Sequence, residues 1–140
     1  MDKEVYTRRA SYYETDQMGI VHHSNYIRYF EDARIRFMHN IGCDIMEMEN
    51  KGLFIPNVDA YARYKKPIKF SDDFIISVKL VTFTGSRMVF EYNIVLCKNN
   101  EIAATGHTTH CFTNSEFKPV SIKHTFPEYF QKLKNNIQSS

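Results

Sequence analysis

The sequence predicts an α+β fold in which one long helix is wrapped by an antiparallel sheet of five or more strands. Three observations lead there. A single long segment has a sustained helical period. Four runs of strand-forming residues follow it, the last three separated by turn signals. The helix has one apolar face, and a twisted sheet curling around it is the element available to bury that face.

Taken in order, residues 4–13 (EVYTRRASYY) are rich in β-formers and read as the first strand. From Ser24 the pattern changes. Tyr26, Phe30, Ala33, Phe37 and Ile41 step by four, three, four and four, which is one face of a helix. Ser24 is placed to cap its N-terminus, and Gly42 to end it in a left-handed conformation. The stretch 43–56 shows no regular period. Residues 56–66 carry Val58, Ala60, Ala62 and Tyr64 at a spacing of two, and 74–84, 88–98 and 101–113 are three further strands. Thr84-Gly85-Ser86 and Asn99-Asn100 divide the last three, which should therefore form an antiparallel meander. Residues 127–136 read as a short terminal helix. With no repeat or linker, residues 1–140 form one domain. Long strands leave long edges and an uncovered outer face, which predicts self-association as a dimer or tetramer.

The composition, 43% hydrophobic and 24% charged, is that of a globular domain. Net charge is +2, basic residues are scattered among acids, and no basic run exceeds Lys65-Lys66, which argues against nucleic acid as a partner. A small anionic ligand stays open, because two or three local cations suffice for one. The 11 Phe and 9 Tyr supply core volume and walls for an apolar ligand. Cys43, Cys97 and Cys111 lie far apart and make no disulfide framework. The first residues are charged from the second onward, without an apolar signal core, and no apolar stretch reaches the ~20 residues of a membrane span. A cytoplasmic protein is expected.

The informative stretch is 13–34, YETDQMGIVHHSNYIRYFEDAR. Asp16 and Gly19 stand at the first and fourth positions of a turn, and on turn chemistry alone Asp16 is a turn carboxylate. The turn, however, leads through Ile20-Val21-His22-His23 straight into the helix N-terminus. Free backbone N–H groups there, together with the helix dipole, can stabilise negative charge developing on an oxygen. A carboxylate beside such a donor suits acyl transfer to water.

The same string resembles the acyl-CoA thioesterases of the hydroxybenzoyl-CoA thioesterase type in the hotdog superfamily, nearest the branch that includes the Tol-Pal-associated acyl-CoA thioesterases. Thr15, Asp16, Gly19, Val21, His22, His23, Asn25, Tyr26, Phe30, Glu31 and Arg34 match the pattern in order and spacing. The resemblance extends more loosely through Tyr64-Lys65-Lys66-Pro67, Thr84-Gly85-Ser86, Thr108-Thr109 and Lys118-Pro119-Val120. It implies a hotdog fold, dimers that pair sheets edge to edge, often a dimer of dimers, and an active site at the dimer interface. It also implies hydrolysis of an acyl-CoA thioester without a metal or redox cofactor. Asp16 is then the catalytic carboxylate, acting as nucleophile or general base. The backbone N–H on or beside His23 polarises the carbonyl, and Tyr26 lines the substrate. Lys65, Lys66 and Arg87 meet the CoA phosphates.

His107 and His110 are three apart in a strand and point to opposite faces, so they cannot share a metal ion, and no metal site is expected. His22 is a packing or substrate-lining residue sooner than a base. Glu31 and Arg34, three apart on the helix, form a pair, with Glu31 the runner-up as catalytic acid. The three cysteines read as core thiols. Tyr26, Tyr29, Phe30 and Phe37 are core first, with an acyl-pocket wall at their edges. Two rival functions share the fold: a non-enzymatic acyl-thioester binding module, and a hotdog hydratase or dehydratase. Retention of Asp16 and Gly19 argues against the first, and the Asp-x-x-Gly-x-Val pattern against the second.

Overall fold

A computed structural model describes residues 5–139. Its strands are β1 (Val5–Arg9), β2 (Asn57–Tyr64), β3 (Asp73–Phe83), β4 (Arg87–Leu96) and β5 (Ile102–Cys111). Its α-helices are α1 (Ser24–Asn40), α2 (Ile45–Asn50) and α3 (Pro127–Lys134). The strands form one antiparallel sheet in the order β1-β3-β4-β5-β2. The expected meander is present as β3-β4-β5. The strand that follows the helix, β2, crosses to its far edge and pairs with β5.

Helix α1 is 17 residues long and buries Tyr26, Tyr29, Phe30, Ala33, Phe37 and Met38. Aromatic residues are mediocre helix formers, so burial of this face against the sheet, and not intrinsic propensity, holds the helix. Each ring has a partner below it. Tyr26 meets Tyr64 of β2, Tyr29 meets Phe74 of β3, and Phe37 meets Phe90 of β4. Phe30 stacks flat on Tyr92 of β4 at 4.4 Å and 10°. The strands alternate accordingly: Phe74, Ile76, Val78 and Leu80 of β3 are buried, as are Met88, Phe90, Tyr92, Ile94 and Leu96 of β4.

Four sequence expectations change. The first strand stops at Arg9, and Tyr12–Glu14 form a 3-10 turn instead. Ser11 N–H donates to Glu14 Oε1 at 2.9 Å, and this local bond competes successfully with the ladder. Glu4 lies outside the described residues. Ser24 does not cap α1: His23 stands at the cap position, and His22 Nδ1 accepts the Ser24 N–H at 3.2 Å. The supposedly irregular stretch holds α2, capped by Asp44, whose Oδ2 accepts Glu47 N–H at 3.1 Å. Of the three cysteines, only Cys43 is a core thiol, and burial pushes it up to about 11; Cys97 is exposed and Cys111 half-buried. Gly42 does end α1 with φ +90°, a conformation other residues adopt at a cost.

The helix lies close to the sheet because Gly106 of β5 has no side chain. A Cβ built there would overlap the Phe30 ring and the Tyr61 carbonyl. Glycine inside a strand is the sign of such an approach. Gly106→Ala should therefore lower the unfolding free energy by about 1–3 kcal/mol, the usual cost of overpacking. Chemical denaturation measures it; a Gly106→Ala protein as stable as its parent would mean the contact is soft.

Candidate active site

Residues 15–21 double back as a small hairpin. Thr15 bridges Val21, Asp16 N–H donates to the Ile20 carbonyl at 2.9 Å, and the Asp16 carbonyl accepts Gly19 N–H at 3.0 Å. Gly19 has φ +77°, which the turn requires. Asp16 Oδ1 accepts Met18 N–H at 2.8 Å, so the turn role is real. Oδ2 has no protein partner among the described residues. One oxygen is structural and the other is open.

Four backbone bonds fix this hairpin and the segment that faces it. Val21 N–H donates to the Ile68 carbonyl at 2.7 Å, fastening the loop to the segment after β2. His22 N–H donates to the Glu14 carbonyl at 2.8 Å, and Lys65 and Lys66 both donate to the Ala103 carbonyl. The result is a cleft of about 410 Å³ lined by Asp16, Met18, Ile20, Val21, His23, Tyr26, Tyr64, Lys65, Lys66 and Pro67. Five of the six site residues expected from sequence thus share one cleft.

At the first turn of α1 the amides are used unevenly. Ser24 N–H goes to His22 Nδ1, Asn25 N–H to the His22 carbonyl and Tyr26 N–H to the His23 carbonyl. Among the described residues the His23 N–H has no acceptor. The open amide at the positive end of the helix is the one expected to polarise a carbonyl. The Tyr26 hydroxyl is pushed up to about 12, first by burial and then by neighbouring Tyr64, so it stays protonated and can donate.

Arg87 does not join the cleft of its own chain. It faces Cys111 at one end of β5, whereas Lys65 and Lys66 bond to Ala103 at the other, roughly 25 Å away along the strand. Glu31 lies elsewhere too. It borders a second cleft of about 200 Å³ with Arg34, Ile35, Met38, Ile55, Pro56 and Met88, and its carboxylate stands 3.7 Å from Arg34 Nη2. His107 and His110 are indeed on opposite faces: His107 stacks on Tyr61, while His110 is fully buried against Phe90.

The sequence reading missed Glu14, which is 4% exposed. Its Oε1 accepts from Tyr29 OH at 2.9 Å as well as from Ser11 N–H, and its Oε2 from Arg8 Nη2 at 2.7 Å. Asn25 Nδ2 donates to the Glu14 carbonyl at 3.0 Å. This acid ties β1, the 3-10 turn and α1 together directly behind the Asp16 hairpin. A Ser-x-x-Glu capping pattern at Ser11 and Glu14 was the available signal.

Comparison with known proteins agrees with this architecture. A Staphylococcus aureus DHNA-CoA thioesterase structure superposes with a TM-score of 0.90 at 29% identity, covering 94% of this chain and 89% of the other. A crystal structure of an Aquifex aeolicus hypothetical protein gives a TM-score of 0.82 at 36% identity, covering 90% and 98%. This is a hotdog-fold protein. The description of the thioesterase-like superfamily matches residues 11–132, and the chain belongs to that family. A candidate acyl-CoA thioesterase of Bacillus subtilis, YneP, is 32% identical over 128 residues, 91% of this chain and 90% of its own. A candidate esterase of Aquifex aeolicus is 39% identical over 111 residues, 79% and 85% of the respective chains. No helix among the described residues is long and apolar enough to cross a membrane.

Behind the second cleft runs a buried polar chain. Arg34 Nη1 donates to Tyr92 OH at 3.5 Å, Tyr92 OH bonds Thr108 Oγ1 at 2.6 Å, and Thr108 Oγ1 bonds His110 Nε2 at 2.8 Å. Arginine only donates, so the Tyr92 hydroxyl accepts from Arg34, and His110 at the far end of the chain is neutral. Burial, helped by the Arg34 charge, lowers the His110 pKa from 6.5 to about 3. The unfolded chain takes up this proton near pH 6.5 and the folded one only near 3. The stability contributed is therefore present above pH 6.5 and lost as pH falls from there toward 3. His110→Gln, which keeps an acceptor for Thr108, should lose less unfolding free energy than the parent between about pH 7 and about pH 4.5. Equal losses, read by denaturant titration, would show that another group carries the acid sensitivity.

Proposed function

We propose that this thioester hydrolase acts on acyl-CoA thioesters, releasing the free acid and CoA, with Asp16 as the catalytic carboxylate. The observation that carries the reading is the single cleft in which the open oxygen of Asp16, the unpaired His23 amide, Tyr26 and the Lys65-Lys66 pair meet. The His23 N–H receives the thioester oxygen as charge develops on it. Asp16 then either adds to the acyl carbon, giving an anhydride that water opens, or takes a proton from water as the water adds. Either route breaks the C–S bond and consumes one water: one of its hydrogens goes to the CoA sulfur, and its oxygen enters the free acid or, through the anhydride, the Asp16 carboxylate. Lys65 and Lys66 at the mouth suit the CoA phosphates. A place beside the Tol-Pal-associated branch rests on the 15–34 string alone, and a cytoplasmic location on the three unpaired cysteines. We read residues 1–140 as one domain.

Self-association belongs to the same reading. Among the described residues edge strand β1 covers Val5–Arg9, and beyond it the edge of β3 is occupied where Gln138 N–H donates to the Leu80 carbonyl at 2.8 Å. Edge strand β2 is open and nearly all exposed, Val58 at 48% and Tyr61 at 49%. Two β2 strands pairing antiparallel with matched ends form a dimer, and the Tyr64 end of one copy then lies beside the Asn57 end of the other. Lys65 and Lys66 of one chain thereby face the Arg87 end of the second sheet, so Arg87 serves the CoA site in trans. The outer sheet face, without helices, suits a further pairing into a tetramer.

Two outcomes test this. Asp16→Asn keeps the turn acceptor and should fold with an unchanged melting temperature, yet lose kcat roughly 100- to 10,000-fold with KM nearly constant, while Glu31→Gln loses far less. A stable, fully active Asp16→Asn beside an inactive Glu31→Gln would move the chemistry to the helix. Val58→Lys with Ala60→Lys places like charges across the proposed β2 pair. Light scattering should then show monomers with little turnover; an active monomer would refute the shared edge.

A further inference from the structure

His22 is not part of the cleft lining, yet it holds two of the occupied amides at the start of α1. Its carbonyl accepts Asn25 N–H at 3.0 Å, and its ring Nδ1 accepts Ser24 N–H at 3.2 Å. A backbone N–H can only donate, so Nδ1 is the unprotonated ring nitrogen, and the Ser24 hydroxyl donates to it as well at 2.9 Å. The residue is itself fixed through its backbone. Its N–H donates to the Glu14 carbonyl at 2.8 Å, and Asn25 Nδ2 reaches its carbonyl at 3.3 Å. Its ring packs against that of His23, with centroids 4.3 Å apart, and His23 in turn faces Tyr64, another residue of the cleft wall. An acceptor two residues before its donor closes the kind of turn that Asn and Asp side chains form with the backbone. Helix starts ordinarily take a side-chain acceptor from Ser, Thr, Asp or Asn. Here an imidazole supplies it.

The consequence falls on the neighbouring amide. His22 takes the Ser24 and Asn25 N–H groups, and the His23 carbonyl takes that of Tyr26. Among the described residues, the His23 N–H is then the one amide of this turn left without an acceptor. A second free N–H beside it would compete for the same oxygen, and an unclosed turn would let the 22–23 peptide rotate. A donor stabilises developing charge in full only when it is held in place beforehand. We propose that His22 is a positioning residue, whose Nδ1 closes the turn that aims the His23 amide; the inference rests on the reading that this amide polarises the thioester carbonyl. The imidazole itself touches no substrate and moves no proton. What the reaction draws on is its acceptor, which a phenyl ring lacks.

The test separates the ring from its acceptor in the full-length protein. His22→Phe keeps a ring against His23 and removes the acceptor, whereas His22→Asn restores an oxygen that reaches the Ser24 N–H. Turnover is measured on whichever of acetyl-, octanoyl-, palmitoyl- and benzoyl-CoA the parent hydrolyses fastest. His22→Phe should lower kcat roughly 10- to 100-fold with KM nearly unchanged, the cost of misplacing a group used chiefly in the transition state. His22→Asn should bring kcat back close to the parental value. In amide hydrogen exchange followed by NMR, Ser24 should exchange roughly 3- to 10-fold faster in His22→Phe than in the parent or His22→Asn, as expected for one ordinary hydrogen bond. Melting temperatures accompany each variant. If the phenyl ring unfolds the protein, His22→Ala removes the acceptor in its place and carries the same expectations. Parental kcat in His22→Phe overturns the proposal, as do a His22→Asn protein as slow as His22→Phe and a Ser24 amide whose exchange does not change. Each of these leaves the Asp16 chemistry standing. A parent that hydrolyses none of these thioesters, nor any other acyl-CoA, overturns the functional reading along with this one.

Discussion

The contact between Phe30 and the bare backbone of Gly106 sets the distance between helix and sheet, and most of the molecule follows from it. With the ring seated flat on Tyr92, the apolar face of α1 reaches β2, β3 and β4 at once. No shorter sheet would cover that face, and no other residue at position 106 would let the helix approach so closely. The depth of the helix in turn determines how far its N-terminus projects toward the 15–21 hairpin. The packing of one ring thus governs whether a carboxylate and an amide can share a cleft.

Glu14 performs the second positioning task. A buried carboxylate is tolerable only when its lone pairs are filled, and here Arg8, Ser11 and Tyr29 fill them. Because those partners come from β1, the 3-10 turn and α1, the acid fixes three elements relative to one another. The Asp16 hairpin hangs from this junction through the bond between His22 N–H and the Glu14 carbonyl. Asp16 then has one oxygen committed to the turn and the other open, so the turn does not conflict with the chemical role proposed for it. Strand β2 links the two clefts, with Asn57 at the mouth of one and Tyr64 at the mouth of the other.

The sequence pattern revealed the elements that follow a single rule. The 3.6-residue period marked α1, alternation marked β3 to β5, and Thr84-Gly85-Ser86 and Asn99-Asn100 marked the turns between them. Where two local preferences compete, it misled. Residues 4–13 have strand propensity throughout, but the Ser11–Glu14 hydrogen bond ends the strand, because a buried acid needs that donor. Ser24 is a preferred cap by residue type, yet the imidazole of His22 takes its N–H. Helix α2 is too short for its period to stand out. For the proposed site, Asp16, His23, Tyr26, Lys65 and Lys66 were assigned through resemblance to a family pattern, and one cleft gathers all five. Arg87 was expected beside Lys65 and Lys66 as a surface cation for the CoA phosphates, and charge carries no information about which end of a strand a residue occupies.

What the sequence by itself determined is the kind of elements and their order, since propensity, periodicity and motif spacing are local properties of the chain. The tertiary structure decided which side chains meet. It folded β2 to the far edge of the meander and left Glu14 in the core. It also placed Arg34 beneath a cleft with few partners, and separated Arg87 from the lysines it was expected to join. These are long-range outcomes of burying one helix face against one sheet, and pairings between distant segments depend on the whole core, not on any window of residues.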